Sequence, residues 1–170
     1  MANKKIKITK VRENAKLPES NNGNWYDCYI SGISIVRLDD HKFNAEINWN
    51  KASELMITSG KAIYRPGDVV IVYLGIAVDI GKGYEALLLP RSSTFTKKGL
   101  LLGNSMGLVD DTYCGDEDEW KGVFYATRHG SITVGDRLLQ VRVQKSNQIE
   151  LEEVKTLGNK NRGGYGSTGN

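Results

Sequence analysis

The sequence predicts an all-β fold with one short helical insert. Three observations lead there: runs rich in β-branched and aromatic residues recur along most of the chain, turn-forming clusters separate them at short intervals, and only one segment carries helical signals. The 170 residues, 39% hydrophobic and 25% charged, suffice for one domain with a real core and exclude a wholly disordered chain. Nineteen glycines against three prolines, with no three-residue period, exclude a collagen-like repeat. They point instead to turns, bulges or backbone pressed close to a ligand.

The elements follow in order. Ile6, Ile8 and Val11 sit among lysines, the pattern of an edge strand protected from pairing with other chains. Residues 29–36 and 43–49 mix β-branched and aromatic residues at short period and read as strands. Residues 51–57 follow Asn50, an N-capping residue type, and precede Gly60, so they read as a helix of about two turns. Residues 69–78 are apolar throughout between Asp68 and Asp79, the signature of one fully buried strand and about half the length of a membrane-spanning helix. Further strands are expected over 84–89, 123–127, 138–143 and 149–154. Turns are expected at Arg65-Pro66-Gly67-Asp68, Gly81-Lys82-Gly83, His129-Gly130 and Val134-Gly135-Asp136. Short strands at this spacing build a sandwich or a barrel. Residues 159–170, reading NKNRGGYGSTGN, have no apolar periodicity and are expected to form a mobile tail.

Charge and cysteine narrow the function classes. Twenty-three basic against 20 acidic residues give a net charge of +3, too small by itself to demand a nucleic-acid partner but compatible with small anions. Cys28, Cys114, His41 and His129 fit neither the paired spacing of structural zinc nor a disulfide framework, which suits a reducing compartment. No apolar block follows the basic start MANKKIKITK, so no secretory signal or membrane span is expected and the location read is cytoplasmic.

Three strings carry chemistry. In the tail, Arg162 can clamp a phosphate in bidentate fashion, Ser167 and Thr168 offer hydroxyls, and the glycines around Tyr165 let amide N–H groups converge on an anion. The string Gly164-Tyr165-Gly166-Ser167-Thr168-Gly169 matches a dinucleotide fingerprint only as letters, for no strand precedes it and no helix follows. Composition alone equally fits a plain flexible tail. Pro90-Arg91-Ser92-Ser93 places a fork of donors and two small hydroxyls at a strand end, ingredients of a phosphate site and equally of an ordinary turn. In Asn104 to Gly115, apolar Leu108 and Val109 lead into Asp110, Tyr113 follows, and glycines flank both ends, as in a tight hairpin with a polar rim. Asp116 to Glu119 read as a solvated acidic loop, whereas Asp110 has an apolar flank that can position and partly desolvate it.

In their order along the chain these strings resemble the five short motifs of the trimeric dUTP pyrophosphatase (dUTPase) family. The first looks like Trp25-Tyr26-Asp27-Cys28-Tyr29, the second is Arg91-Ser92-Ser93, and the third runs from Gly103-Asn104 through Gly107-Leu108-Val109-Asp110 to Tyr113-Cys114-Gly115. Gly135-Asp136-Arg137-Leu138-Leu139-Gln140 is the fourth and Arg162 to Gly169 the fifth. The resemblance covers residues 15–169, interrupted by an insert at about 37–64. It departs at Tyr26 and Cys28, where members have a small and an aliphatic residue, at Ser93, often glycine, and at Tyr165, usually phenylalanine.

The resemblance implies a jelly-roll-like, distorted β-barrel over residues 1–158, with residues 159–170 closing over the active site of a homotrimer whose sites are shared between subunits. It implies a dUTP hydrolase yielding dUMP and pyrophosphate, with Asp110 activating the attacking water. Tyr113 would stack on the deoxyribose, and Asn104 with the backbone of Gly107, Leu108 and Val109 would read uracil. Arg91, Ser92, Ser93 and Gln140 would hold the α and β phosphates. Arg162, Gly166, Ser167 and Thr168 would reach the γ phosphate, and Tyr165 would stack on the base. Mg2+ is implied on the phosphates, with Asp27 assisting through water; Arg137 is as readily a structural arginine tied to acids. Two other classes stay open. A dCTP deaminase of the same fold would need a catalytic glutamate near Glu119, and a non-catalytic module would use Lys4, Lys5, Lys7, Lys10, Arg12 and Lys16 on nucleic acid or protein.

Overall fold

The computed structural model describes residues 4–20, 23–37, 49–54 and 56–163. Along them run β1 (Lys7–Lys10), β2 (Glu19–Ser20), β3 (Tyr26–Tyr29), β4 (Gly32–Val36), helix α1 (Trp49–Glu54), β5 (Lys61–Tyr64), β6 (Val69–Tyr73) and β7 (Ile76–Asp79). Then follow β8 (Tyr84–Pro90), a π-helical turn (Thr94–Lys98), β9 (Leu100–Leu102), β10 (Gly107–Val109), β11 (Lys121–Ala126), β12 (Gly130–Thr133) and β13 (Arg137–Lys145). Every strand pair among the described residues is antiparallel. A five-stranded sheet has the order β10-β8-β13-β3-β2, a four-stranded sheet the order β4-β6-β11-β9, and β1-β7 and β12-β5 are two-stranded.

The apolar run 69–78, expected as one strand, is two. It breaks at Leu74-Gly75, where Gly75 takes φ +69°, a left-handed conformation that side chains disfavour. The Gly75 carbonyl accepts the N–H of Val11 at 2.8 Å, so the corner also anchors the chain leaving β1. Counting Gly75 as apolar hid this corner in the sequence, because a hydrophobic pattern carries no record of φ.

Burial on both faces explains why the run is unbroken in apolarity. Val70, Val72 and Leu74 join the main core with Ile33, Leu88, Phe124 and Leu139. Val69, Ile71 and Tyr73 point the other way and pack with Ala52 of α1, Met56, Val36 and Val123. The expected short helix is therefore a cover for the outer face of β6, and the Ser34 hydroxyl fastens it by donating to the Ala52 carbonyl. The helix lies earlier than the expected 51–57, since Ile57 instead exchanges backbone hydrogen bonds with Ile33 at 2.7 and 2.9 Å.

Other expectations meet the structure as follows. The 29–36 segment divides at Ile30-Ser31 into β3 and β4. Of the expected strand 43–49, residues 43–48 lie outside the described residues and Trp49 opens α1. Residues 149–154 form no strand: they pair with nothing in this chain among the described residues, and Ile149 and Leu151 are 77% and 88% exposed. Lys61–Tyr64, at the end of the expected insert, is framework, pairing with β12 and burying Ala62 and Tyr64. Strands β5, β9 and β12, of three or four residues each, are too short for alternation to register.

Gly75→Ala should destabilise the protein by at least ~2 kcal/mol, because a Cβ there meets Ser31 and, at 2.7 Å, the Ala15 methyl while keeping positive φ. Chemical denaturation checks this; an unshifted midpoint would show that the corner relaxes.

Candidate active site

The Asn104–Tyr113 region forms one cavity. The tight hairpin expected over Asn104 to Gly115 is not formed: β10 does not pair with its chain neighbours β9 and β11, which belong to the four-stranded sheet, but lies on β8 with Gly107 opposite Leu88 and Val109 opposite Ala86. Gly107 permits the approach, since a Cβ there would stand 3.0 Å from the Leu88 Cβ. The turn before it is tight, with Ser105 at φ +59°. A cavity of about 440 Å³ opens here, lined among others by Asn104, Gly107, Leu108, Val109, Asp110, Tyr113 and Lys121.

Local hydrogen bonds fix the chemistry of this rim. Asp110 Oδ1 accepts from the Thr112 N–H at 2.8 Å and from the Thr112 hydroxyl at 2.5 Å. These bonds, the hydroxyl first, hold the exposed Asp110 carboxyl below its ordinary pKa, so it is an anion throughout the neutral range. Asp111 accepts the Gly83 N–H at 2.6 Å and ties the loop to the turn after β7. Desolvation, then the charges of Asp118 and Glu119, push the Tyr113 hydroxyl pKa up. It stays protonated and donates to the Glu119 carbonyl at 3.3 Å.

A second cavity, of about 330 Å³, is cationic. Arg91, Ser93, Thr94, Lys97, Lys98, Asp136 and Arg137 line it. At its base Asp27, 8% exposed, lies between two arginines: Arg91 Nε is 2.7 Å from Oδ1 and Arg137 Nη1 is 3.1 Å from Oδ2. Gln140, opposite Asp27 in the β3–β13 register, donates to the Pro90 carbonyl at 3.2 Å. Ser92 is exposed beside them. Lys97 and Lys98 were not singled out from sequence; their signal is position, in the π-helical turn that follows Ser93. Lys98 is tied to Asp136 at 3.1 Å, while Lys97 is exposed.

The structure thus gathers the expected residues into two places rather than one. The residues around β10 and the Arg91 basin share no lining residue. Along β8, Arg91 is ~10 Å from Leu88, opposite Gly107, and ~17 Å from Ala86, opposite Val109, at the usual strand rise. Arg162 is exposed in neither cavity's lining, and Tyr165, Gly166, Ser167 and Thr168 lie outside the described residues. Asp27 is engaged by cations on both oxygens, and no group of three or more His, Cys, Asp or Glu that could hold a metal occurs among the described residues. The cysteines form no disulfide; burial, then the Asp27 charge, pushes the Cys28 thiol up to about 12, so it stays protonated. No helix among the described residues is long and apolar enough to cross a membrane.

The fold is antiparallel β throughout its described strands, with a pocket beside β10 and a separate cationic basin whose charge favours anions. Comparison with known proteins narrows this class. The dUTPase family model matches residues 55–169. The chain is 47% identical over 100 residues to the SPbeta prophage-derived deoxyuridine 5'-triphosphate nucleotidohydrolase of Bacillus subtilis, covering 58% of this chain and 70% of that protein. It is 30% identical over 167 residues to the deoxyuridine 5'-triphosphate nucleotidohydrolase of a Hydrogenobaculum species, covering 97% and 98%. The chain belongs to the dUTPase family. Its fold is similar to that of a point mutant of the Staphylococcus bacteriophage 80alpha dUTPase with dUpNHpp, at TM-score 0.69 and 17% identity, covering 98% and 99%. It is also similar to a point mutant of the dUTPase from phage phi11 of S. aureus, a structure concerned with coordination of a structural Mg(II) ion, at TM-score 0.67 and 17% identity, covering 91% and 99%. The expected jelly-roll-like distorted barrel agrees with these neighbours.

Thr112→Val should raise the Asp110 pKa toward the ordinary ~3.9, since the hydroxyl bond stabilises the ionised form. A carbonyl-carbon NMR titration reads this directly. An unmoved midpoint would remove Thr112 as the cause.

Proposed function

We propose that the chain hydrolyses dUTP to dUMP and pyrophosphate, limiting uracil in DNA and supplying dUMP for thymidylate synthesis. The observation that carries the reading is the β10 cavity with an ionised Asp110 on its rim, in a chain of the dUTPase family. Asn104 and the backbone of Gly107, Leu108 and Val109 face the uracil edge. A site that hydrogen-bonds the base discriminates strongly, because a wrong base leaves buried polar groups unpaired. Tyr113 packs on the deoxyribose where a 2′-hydroxyl would intrude.

Asp110 takes the proton of a water whose oxygen attacks the α-phosphorus in line. The bond from that phosphorus to the bridging oxygen of the β-phosphate breaks, and pyrophosphate leaves. Arg91, Ser92, Ser93 and Gln140 hold the α and β groups; Arg162, Gly166, Ser167 and Thr168 meet the γ group, with Tyr165 over the base. Magnesium suits this chain as a companion of the nucleotide, since the described residues offer no carboxylate cage and Mg2+ keeps most of its waters beside phosphate oxygens. Asp27 could assist through water only by loosening its grip on Arg91 or Arg137, which occupy both of its oxygens; a bound ion would offset phosphate charge.

The separation of the β10 pocket from the arginine basin, ~10 to 17 Å along β8 with no shared lining residue, supports a site completed by a second copy of the chain, as in a homotrimer with shared sites. Neither alternative gains support. Glu119 is buried and tied on both oxygens to Arg12, a structural placement rather than one open to a substrate. Among the N-terminal cations, Lys4 sits over the Tyr84 ring, Lys7 pairs with Asp79 and Arg12 with Glu119.

A nucleotide panel assayed for pyrophosphate with magnesium present tests the reading: dUTP should turn over far faster than UTP, dTTP or dCTP, and ammonia release from dCTP would overturn it. Asp110→Asn should lower kcat by about 10²–10⁴ with little change in dUTP affinity. The wild-type acid limb should lie below the ordinary carboxylate range, because activity is lost only as pH falls through the lowered Asp110 pKa. Shared sites predict that inactive Asp110→Asn and Arg91→Ala chains, refolded together, regain activity; a mixture that stays inactive would place each site within one chain.

A further inference from the structure

Arg12 lies outside the matched family region, in neither cavity's lining, yet it ends a chain of contacts that reaches Tyr113. Its guanidinium grips Glu119 with two bonds, Nε to Oε1 at 2.7 Å and Nη2 to Oε2 at 2.6 Å. Glu119 is 5% exposed, and Oε1 also accepts the Gly75 N–H at 2.9 Å. The carboxylate is thereby held against the corner between β6 and β7. Flanking backbone bonds lock the same stretch: Trp120 N–H to the Ile76 carbonyl at 2.9 Å and Leu74 N–H to the Trp120 carbonyl at 3.0 Å. The Glu119 carbonyl, fixed in this way, receives the Tyr113 hydroxyl. Tyr113 is otherwise a partly exposed ring on the loop between β10 and β11.

We propose that Arg12 is a positioning residue for Tyr113: through its fork on Glu119 it sets the ring that excludes a 2′-hydroxyl, and so sets sugar selectivity. This rests on the reading of Tyr113 as the sugar wall. A planar bidentate grip fixes Glu119 in rotation as well as distance, whereas a lysine would hold it at one point. The expected consequence is a change in discrimination rather than in rate.

The test is the ratio of kcat/KM for dUTP to that for UTP. Arg12→Lys should lower the ratio about tenfold while kcat for dUTP stays within about twofold. Arg12→Met/Glu119→Gln, which leaves no buried unpaired charge and keeps an acceptor for the Gly75 N–H, should do the same if removal of the fork alone compromises folding. Tyr113→Phe should lower the ratio to a similar extent, and Arg12→Lys should then add little in that background, because both act through one hydroxyl. A folded Arg12→Lys protein with the wild-type ratio would overturn the proposal, as would an equal loss in the Tyr113→Phe background. If Tyr113→Ala itself leaves the ratio unchanged, the sugar-wall reading falls, and this proposal with it.

Discussion

Everything in this fold is arranged around the need to bury β6 on both faces. An extended strand sends alternate side chains to opposite sides, so Val69–Tyr73, apolar at each position, is stable only between two apolar layers. One is the barrel core. The other is supplied from a distance in sequence, by α1 and Met56, which accounts for a helix in an otherwise β chain. Continuing the same run straight ahead would carry it out of the barrel, and Gly75 turns it. The polar groups exposed by that turn then recruit partners: the carbonyl takes Val11, and the N–H takes Glu119.

The functional geometry grows from β8 as the core grows from β6. One edge of β8 carries the short strand β10 and its pocket, and its end delivers Arg91 to the cationic basin. On its other edge β13 brings Gln140 and Arg137 alongside, with β3 and Asp27 next in the sheet. The β10 pocket and Arg91 are thus held at a fixed spacing along one strand, and a sheet fixes such spacing far better than loops do.

The sequence made much of this legible. The β class, the short helix and the family membership follow from periodicity, turn chemistry and motif order. What stayed hidden has physical causes. The corner at Gly75 is a backbone angle, invisible to a hydrophobic count. Residues 149–154 have strand composition, yet composition does not secure a partner, and among the described residues they pair with none. The grip of Arg91 and Arg137 on Asp27 joins residues far apart in sequence, and nothing in their local strings announces it. Glu119 looked like one more acid in a solvated run, but Arg12 and Gly75 make it buried and structural.

The Asp27 clamp also changes how binding strength should be understood. Arg91 is a cation already paired with Asp27, so any anion approaching it would meet a competitor in place. Its gain would be the difference between two ion pairs and not the full attraction of a bare arginine.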